Sequence, residues 1–385
     1  MSEFSAANPL FLDSLATTPL APEAYEAMAP YLQQADLSVR QGQKREVEAA
    51  INRAHRQIAG LAGAKADEVI FTSGATEANN MAIYGMKAPP KCVLTTAIEH
   101  SAILEPLNHL ESRGTQINFI PLDASGRVDL DAFKSQITHK KPDLVTVQAT
   151  NNEIGVRQPI NEIGAICRNF NVIFHIDAAQ GVIGQQLDFS ESGAHMMSLS
   201  SHKIHGPQGV GALLLRRDMT INPLLHGGGQ QYNLRPGTLP IALIAGFGAA
   251  AELASKQKKH DWEHIKTLKN AFLHNLRLVP NAEIQLRSAN DESCHPGLIS
   301  LSFGDIPAED IIAEVPELVL ATGAACNDAR GKPSHVLKAL GYSAKQTQAT
   351  LRIGLGRYVT KADAIEAANI LSDGIQRVVK RNVSS

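Results

Sequence analysis

Residues 143–177 read DLVTVQATNNEIGVRQPINEIGAICRNFNVIFHID and contain a strand, a helix and a second strand in succession. The apolar runs at 143–149 and 172–176 have the length and β-branched content of buried strands. Residues 160–170 between them are predicted to form a helix. Since no hairpin turn joins the two strands, the unit predicts parallel strands connected through a helix.

The same alternation extends in both directions from this unit. Further strands are predicted at 68–72, 92–96, 116–122, 196–199 and 210–215, and further helices at 46–62, 101–114 and 129–138. Strands that alternate with helices predict an α/β fold with a mainly parallel sheet covered by helices. In such a sheet, ligands bind at the carboxyl ends of the strands.

Length and composition predict two domains with a large core. The chain has 385 residues, of which 44% are hydrophobic and 19% are charged, so disorder is excluded as its main state. We expect a large α/β domain at 14–255 and a smaller α+β domain made of 1–13 and 256–385. The charged stretch 256–264 follows an apolar helix at 241–254 and is read as a solvated connector between the domains.

The net charge and the first ten residues bear on whether the protein binds nucleic acid or a membrane. Lys plus Arg number 36 and Asp plus Glu 38, a net charge of −2, so the broad basic field of non-specific nucleic-acid binding is missing. The first ten residues lack a targeting pattern, and the 241–254 run is too short and too interrupted for a membrane span. We therefore expect a cytoplasmic protein without direct contact with nucleic acid or membrane.

Four cysteines occur without a C-x-x-C pair, which fits a reducing compartment and excludes a disulfide framework. Cys92 and Cys167 lie in apolar runs and are predicted to be core residues. Cys294, beside His295, is predicted to lie in a loop, and a reactive thiol is conceivable there. Cys326 lies among small and polar residues in GAACNDARGKP (323–333), which reads as a mobile loop.

Residues 71–77, FTSGATE, form a turn from a strand into a helix. Small residues at such a turn expose backbone N–H groups at a helix N-terminus, where an anion is favoured, and Thr76 adds a hydroxyl. An ordinary helix cap is the alternative. Residues 175–180, HIDAAQ, place Asp177 at the end of an apolar strand. A cationic ring nitrogen would pair that carboxylate, although a helix cap is again the alternative.

Residues 199–211, LSSHKIHGPQGVG, contain Lys203 in a stretch, 194–215, that has no other Lys, Arg, Asp or Glu. A desolvated lysine has a lowered pKa and can form a Schiff base. Ser200 and His202 beside it could bind phosphate. A metal site built from the histidines of this region lacks an accompanying carboxylate, and the glycines lack dinucleotide-loop spacing.

The three segments supply a phosphate anchor, an acid for a pyridinium nitrogen and a Schiff-base lysine, which is what pyridoxal 5'-phosphate requires. With these segments the chain resembles the cysteine desulfurases of the class V aminotransferase family. The resemblance also includes residues 12–19, 99–100, 151–155, 227–230, 235–238, 323–326 and 351–357. It implies a pyridoxal-phosphate transferase of fold type I with a seven-stranded sheet.

The resemblance implies a role for each matched position. Lys203 would hold the cofactor, His100 would stack on it and move protons, and Cys326 would carry sulfur. The remaining assignments are Asp177 to the pyridine nitrogen, Gln180 to the ring oxygen, Ala75, Thr76, Ser200 and His202 to the phosphate, Thr238 to the phosphate site of the partner in a homodimer, and Asn152 and Arg352 to the substrate carboxylate. No metal is implied.

The implied reaction removes sulfur from L-cysteine, leaves L-alanine and forms a persulfide on Cys326. The sulfur acceptor stays open between iron–sulfur cluster assembly, tRNA thiolation and DNA phosphorothioation. Residues 35–42, ADLSVRQG, keep only Ser38 of the family pattern there, and the chain ends soon after its last predicted helix. The Ala-Ala-Cys sequence at 324–326 also resembles selenocysteine lyases, and a non-catalytic scaffold subunit is the alternative from another class.

Overall fold

The computed structural model describes residues 4–32, 41–182, 187–322 and 333–384. The strands are β1 Leu10–Phe11, β2 Val69–Thr72, β3 Cys92–Thr95, β4 Gln116–Phe119, β5 Leu144–Gln148, β6 Ile173–Asp177, β7 Met196–Ser200, β8 Gly211–Leu215, β9 Ile284–Leu286, β10 Leu298–Phe303, β11 Leu318–Val319, β12 Ala321–Thr322 and β13 Thr350–Gly354. The α-helices are α1 Pro22–Leu32, α2 Gln41–Ala62, α3 Ala75–Tyr84, α4 Ser101–Glu111, α5 Leu130–Lys140, α6 Ile160–Phe170, α7 Phe189–Ser192, α8 Ile241–Asn275, α9 Ala308–Ala313, α10 His335–Ala339, α11 Ala344–Gln348 and α12 Lys361–Ser384.

The main sheet has seven strands in the order β2-β8-β7-β6-β5-β3-β4. The pairs from β7 through β4 are all parallel, with β5 and β6 in register from Leu144–Ile173 to Gln148–Asp177. Every residue of strands β5 to β8 except Ile173 is buried, because helices cover both faces of the sheet. The predicted α/β fold with a mainly parallel seven-stranded sheet is therefore confirmed.

Strand β8 is antiparallel to both of its neighbours, β7 and β2. Only residues 201–210 connect β7 to β8. A parallel crossover needs a dozen or more residues, so this short connection returns the chain in the opposite direction. The turn that it forms holds Lys203 at the carboxyl end of β7.

A second, four-stranded sheet is antiparallel, in the order β12-β13-β10-β9. Its core includes Leu12, Phe272 and Phe303 and is separate from the core around the main sheet. Strand β1 pairs in parallel with β11, so the start of the chain joins this second unit. The mixture of short strands and helices agrees with the α+β composition predicted for residues after 256.

Helix α8 runs for 35 residues and joins the two cores. Its first half packs against α1 and α2, and its second half packs against α12. The charged stretch 256–264 continues the apolar half without a break. The predicted domain boundary at residue 255 falls within α8, and the division into domains stays a prediction. Over the described ranges, we find no helix with the length and hydropathy needed to cross a membrane.

Candidate active site

A cavity of about 560 Å³ opens at the carboxyl ends of β2, β3, β5, β6 and β7. Nine of the predicted site residues line it, namely Ala75, Thr76, His100, Asn152, Asp177, Gln180, Ser200, His202 and Lys203. Segments up to 128 residues apart in the sequence thus meet at one sheet edge. Arg352 lies buried behind the cavity wall, and Thr238 is exposed. Cys326 lies outside the described residues.

The amine of Lys203 points toward the start of the chain. Its Nζ donates to the carbonyl oxygens of Leu15 (2.5 Å) and Ala16 (2.9 Å), and the Nε2 of Gln180 also donates to Leu15 (2.5 Å). Thr17 follows and hydrogen-bonds His202 through its hydroxyl, at 3.0 Å from Nδ1. Residues 12–19 carry part of the family resemblance, but no role beside Lys203 was predicted for them from the sequence.

Asp177 ends strand β6 and is 5% exposed. Its Oδ2 accepts from the Nδ2 of Asn79 at 2.8 Å, and its Oδ1 accepts from the backbone N–H of Ala179 at 3.0 Å. These two donors fix the orientation of a carboxylate whose burial is costly without a charged partner. Asn79 was missed in the sequence, although it follows the FTSGATE segment on the inward face of helix α3.

The opposite end of the cavity has the features of an anion site. Ala75 begins helix α3, whose first N–H groups lack intrahelical acceptors, and Thr76 adds a hydroxyl. Burial lowers the pKa of His202 to about 4, with the Lys203 charge as a second cause, so its ring is neutral near pH 7. Within the described ranges, no three His, Cys, Asp or Glu side chains are grouped to hold a metal ion.

His100 caps helix α4 from the residue before it. Its Nδ1 accepts a hydrogen bond from the backbone N–H of Ala102 at 3.0 Å. Because a backbone N–H can only donate, a neutral His100 carries its proton on Nε2. Proton transfer by this side chain must therefore use Nε2, which leaves Nδ1 to hold the ring in position.

Glu99, next to His100, is fully buried behind the cavity. Its Oε1 accepts from the hydroxyl of Thr96 (2.6 Å), and its Oε2 accepts from the backbone N–H of Gln148 (2.8 Å). Burial raises the pKa of Glu99 well above its usual range, and the charge of Asp177 acts in the same direction. A protonated Glu99 avoids a second buried negative charge beside Asp177. Glu99 belongs to the segments that carry the family resemblance, but no role was predicted for it from the sequence.

His175 supports Asp177 from within strand β6. Its Nδ1 is 2.9 Å from the hydroxyl of Thr146, and its Nε2 is 2.9 Å from the hydroxyl of Ser198. Complete burial lowers the pKa of His175 to about 4, although the charge of Asp177 opposes the shift. The side chain is therefore neutral in the folded protein at any pH near 7.

The buried His175 should make folding sensitive to mild acid. His175 takes up a proton at about pH 6.5 in the unfolded chain but only at about pH 4 in the folded chain. The contribution of the neutral ring to stability is therefore fully present above pH 6.5 and is lost as the pH falls toward 4. We expect His175 to remove about 2 kcal/mol of unfolding free energy between pH 7 and pH 5. Urea unfolding of His175→Gln at both pH values should show a loss smaller by this amount.

The exposed His139 provides the matched control for that measurement. His139→Gln should leave the pH dependence of unfolding as it is in the unmodified protein. An equal loss of stability in His175→Gln and the unmodified protein would contradict the assignment of a neutral buried ring.

Arg352, in the middle of strand β13, is fully buried. Its Nη2 donates to Oδ1 of Asp13 at 2.8 Å, and its Nη1 donates to the carbonyl oxygen of Asn152 at 3.1 Å. Asn152 lines the cavity, so the guanidinium lies directly behind the cavity wall. Its role toward a substrate carboxylate stays a prediction, and Asp13 is an unforeseen partner.

The three described cysteines are buried, which agrees with the prediction for Cys92 and Cys167. Cys294 is also completely buried, and its Sγ lies 3.6 Å from the carbonyl oxygen of Ile154. Burial raises the pKa of all three thiols, to about 12 for Cys167. Because the thiolate is the reactive form, the reactive Cys294 considered from the sequence is not supported.

The residues that follow segment 323–332 contact the cavity wall. Ser334 donates to the Oε2 of Glu153, which neighbours Asn152. The Nε2 of His335 lies 2.8 Å from the carbonyl oxygen of Glu99, which precedes His100. The chain is therefore attached, eight and nine positions after Cys326, to the two turns that carry His100 and Asn152.

The donor set fits pyridoxal phosphate. A helix N-terminus with Thr76 suits a phosphate, the oriented carboxylate of Asp177 suits a protonated ring nitrogen, and the amine of Lys203 suits a carbonyl carbon. All three face one cavity, and His202, which also lines it, is neutral near pH 7. The buried carboxylate of this set, Asp177, accepts hydrogen bonds at both of its oxygens.

Comparison with known proteins identifies the relatives of the chain. The model of the family described as aminotransferase class-V matches residues 10–366. The chain is similar to "Cysteine desulfurase IscS" of Rickettsia prowazekii, with 37% identity over 96% of this chain and 92% of the relative. It is similar to two solved structures, each matched over 90% of this chain and 99% of theirs. They are titled "SspA in complex with cysteine", with 30% identity and a TM-score of 0.77, and "Crystal structure of DndA from streptomyces lividans", with 31% and 0.76.

The region matched by the family model includes the segments that form the candidate site. The matched region contains the lysine turn after β7, the aspartate at the end of β6 and the helix N-terminus after β2. It also contains the first hydrophobic core and most of the second, so the similarity includes the second sheet as well as the first. On the strength of the match over residues 10–366 and the 37% identity along nearly its whole length, the chain belongs to the aminotransferase class-V family.

Proposed function

We propose that this protein is a pyridoxal-phosphate-dependent cysteine desulfurase. The observation that carries the proposal is the convergence of Lys203, Asp177 and His100 on one cavity, with Asn152 at its wall and Arg352 directly behind. The relatives named cysteine desulfurase and the solved relative with cysteine in its title support the choice of substrate. The net reaction converts L-cysteine and the thiol of Cys326 into L-alanine and a persulfide.

Pyridoxal phosphate, when bound, supplies an electron sink for negative charge that develops on the substrate. Asp177 holds the ring nitrogen protonated, and Asn79 and the N–H of Ala179 hold Asp177. Gln180 contacts the ring oxygen. The start of α3, with Ala75 and Thr76, and the side chains of Ser200 and His202 would hold the phosphate, while Thr238 would serve the partner's phosphate in a homodimer. The exposed position of Thr238 is compatible with that reach.

The reacting groups of the chain have separate tasks. Lys203 Nζ holds the cofactor and then moves the proton of the substrate Cα, and His100 moves protons through Nε2. Arg352 and Asn152 orient the substrate carboxylate. The thiolate of Cys326 attacks the substrate sulfur, so that an S–S bond forms while the substrate C–S bond breaks and the carbon takes a proton. The persulfide then passes to a sulfur-acceptor protein, and turnover of such a carrier thiol suits a reducing, cytoplasmic compartment.

The purified protein, loaded with pyridoxal phosphate, should release L-alanine and sulfide from L-cysteine in equal amounts in the presence of a reducing thiol. Alanine measured by chromatography and sulfide measured by colorimetry test this result. Competition between L-cysteine and L-selenocysteine separates a desulfurase from a selenocysteine lyase. A cofactor-loaded protein that releases alanine from neither substrate would support a non-catalytic subunit and contradict the proposal.

A further inference from the structure

We propose that Asp13 is a specificity-determining residue, which competes with the substrate carboxylate for Arg352 and so sets the affinity of the site for amino acids. The inference rests on the proposed function, because it takes Arg352 as the receptor of that carboxylate. Asp13 is 8% exposed. It lies in the N-terminal segment that leads from Leu12, in the second core, to Ala21, in the core around the main sheet. No individual role was predicted for Asp13 from the sequence.

Asp13 places a negative charge at the guanidinium that the proposed function assigns to the substrate carboxylate. Oδ1 of Asp13 accepts from Nη2 of Arg352 at 2.8 Å, while Nη1 is directed to the carbonyl oxygen of Asn152. A carboxylate that enters the cavity past Asn152 therefore approaches a guanidinium that already has an anionic partner. It must share Arg352 with Asp13, and the two like charges repel each other across a buried site.

The backbone holds Asp13 in this place. The N–H of Ser14 donates to the carbonyl oxygen of Gly354 at 3.1 Å, and the N–H of Gly354 donates to Leu12 at 2.7 Å. A Cβ at Gly354 would lie 2.9 Å from the backbone nitrogen of Ser14, so only glycine permits this close approach. Since Gly354 and Arg352 lie on the same strand, Asp13 and Arg352 are held in a fixed relation.

The same segment also serves Lys203, through the carbonyl oxygens of Leu15 and Ala16. Asp13 is thus an anion between two cations that the proposed reaction uses. Burial raises the pKa of Asp13, even though Arg352 and Lys203 act to lower it. Because Oδ1 of Asp13 already accepts from Nη2 of Arg352, a second carboxylate that binds this guanidinium must compete with it.

The test compares Asp13→Asn with the unmodified holoenzyme. Asparagine keeps an oxygen acceptor for Nη2 but removes the charge. Removal of the negative charge that shares Arg352 with a bound carboxylate is expected to tighten binding about tenfold. We expect the dissociation constant of L-alanine, measured by calorimetry without turnover, and the KM for L-cysteine to fall together by that factor.

Two further variants separate charge from position. Asp13→Glu keeps the charge and should bind L-alanine as weakly as the unmodified protein does. Asp13→Ser is neutral and should bind L-alanine more tightly, and it replaces Asp13→Asn if that variant does not fold. The matched control is Asp261→Asn, which breaks a buried ion pair with Arg357 (2.5 Å) and should lower stability while L-alanine affinity stays within about twofold.

Unchanged or weaker L-alanine binding by folded Asp13→Asn would overturn the inference and reduce Asp13 to a structural anchor of Arg352. Because calorimetry with L-alanine needs no turnover, that outcome is distinct from failure of the proposed function. A holoenzyme that binds L-alanine but leaves L-cysteine intact contradicts the desulfurase proposal, while the comparison of Asp13 variants still decides the role of Asp13.

Discussion

Replacement of Lys203 by alanine is expected to abolish covalent attachment of the cofactor and to lower the rate of alanine formation by about a thousandfold or more, because one side chain both holds the cofactor and moves a proton. In the structure, its amine donates to the backbone carbonyl oxygens of Leu15 and Ala16, and the side chain lines the cavity. No other lysine among the residues that line the described cavity could take over either task.

Borohydride reduction followed by peptide mass spectrometry provides the measurement. The unmodified protein should yield a cofactor adduct on the peptide that contains Lys203, and Lys203→Ala should yield none and lack the visible absorbance band of the bound cofactor. Lys269→Met is the control, because Lys269 is a buried lysine outside the cavity lining whose pKa is lowered by burial. Its loss should leave the adduct in place, whereas an adduct on any peptide other than that of Lys203 would refute the assignment.

Replacement of Cys326 by serine is expected to eliminate persulfide formation while the cofactor remains bound. The physical reason is the state of the other cysteines. Cys92, Cys167 and Cys294 are buried, and burial raises the pKa of each thiol, so none of them supplies a thiolate at neutral pH. Cys326 is then the one cysteine of the sequence left to attack the substrate sulfur.

Radiolabelled L-cysteine and mass spectrometry of the persulfide-bearing peptide test this prediction. Cys326→Ser should carry no label, and its alanine release should fall to the level without enzyme. Cys294→Ala, which removes a buried thiol in contact with Ile154, should retain labelling and turnover. A Cys326→Ser protein that desulfurates L-cysteine normally would end the proposed role, and trapping the labelled acceptor from the unmodified protein would identify the next step.

His335 is attached to Glu99 and Ser334 to Glu153, so the chain that leaves segment 323–332 is fixed to the turns bearing His100 and Asn152. The apolar side chains of Val336 and Leu337 pack with Ile98 and complete the attachment. The side of the second unit that follows Cys326 is therefore built onto the cavity.

The sequence alone predicted most of the main sheet, since its strands, apart from the edge strand β4, are short buried runs of apolar residues. The helix predicted at 101–114 ends earlier, at Glu111, and the strand predicted at 116–122 ends at Phe119. Turn residues decide such ends through their hydrogen bonds, and an apolar pattern does not record them. The antiparallel placement of β8 was also missed, because orientation depends on the length of a connection and not on periodicity.

Lys203, Asp177 and Thr76 were predictable because each lies at the end of a strand or shortly after it, and parallel strands bring their carboxyl ends to one edge. The strand pattern by itself therefore determined the sheet edge at which these three side chains lie, and the family resemblance implied the other residues of the site. Only the tertiary structure decided the partners of those side chains, such as Asp13 beside Arg352, 339 positions away in the chain. Local periodicity carries no information on such contacts, because they arise when separate elements pack together and each buried charge takes the partner that the packing brings to it.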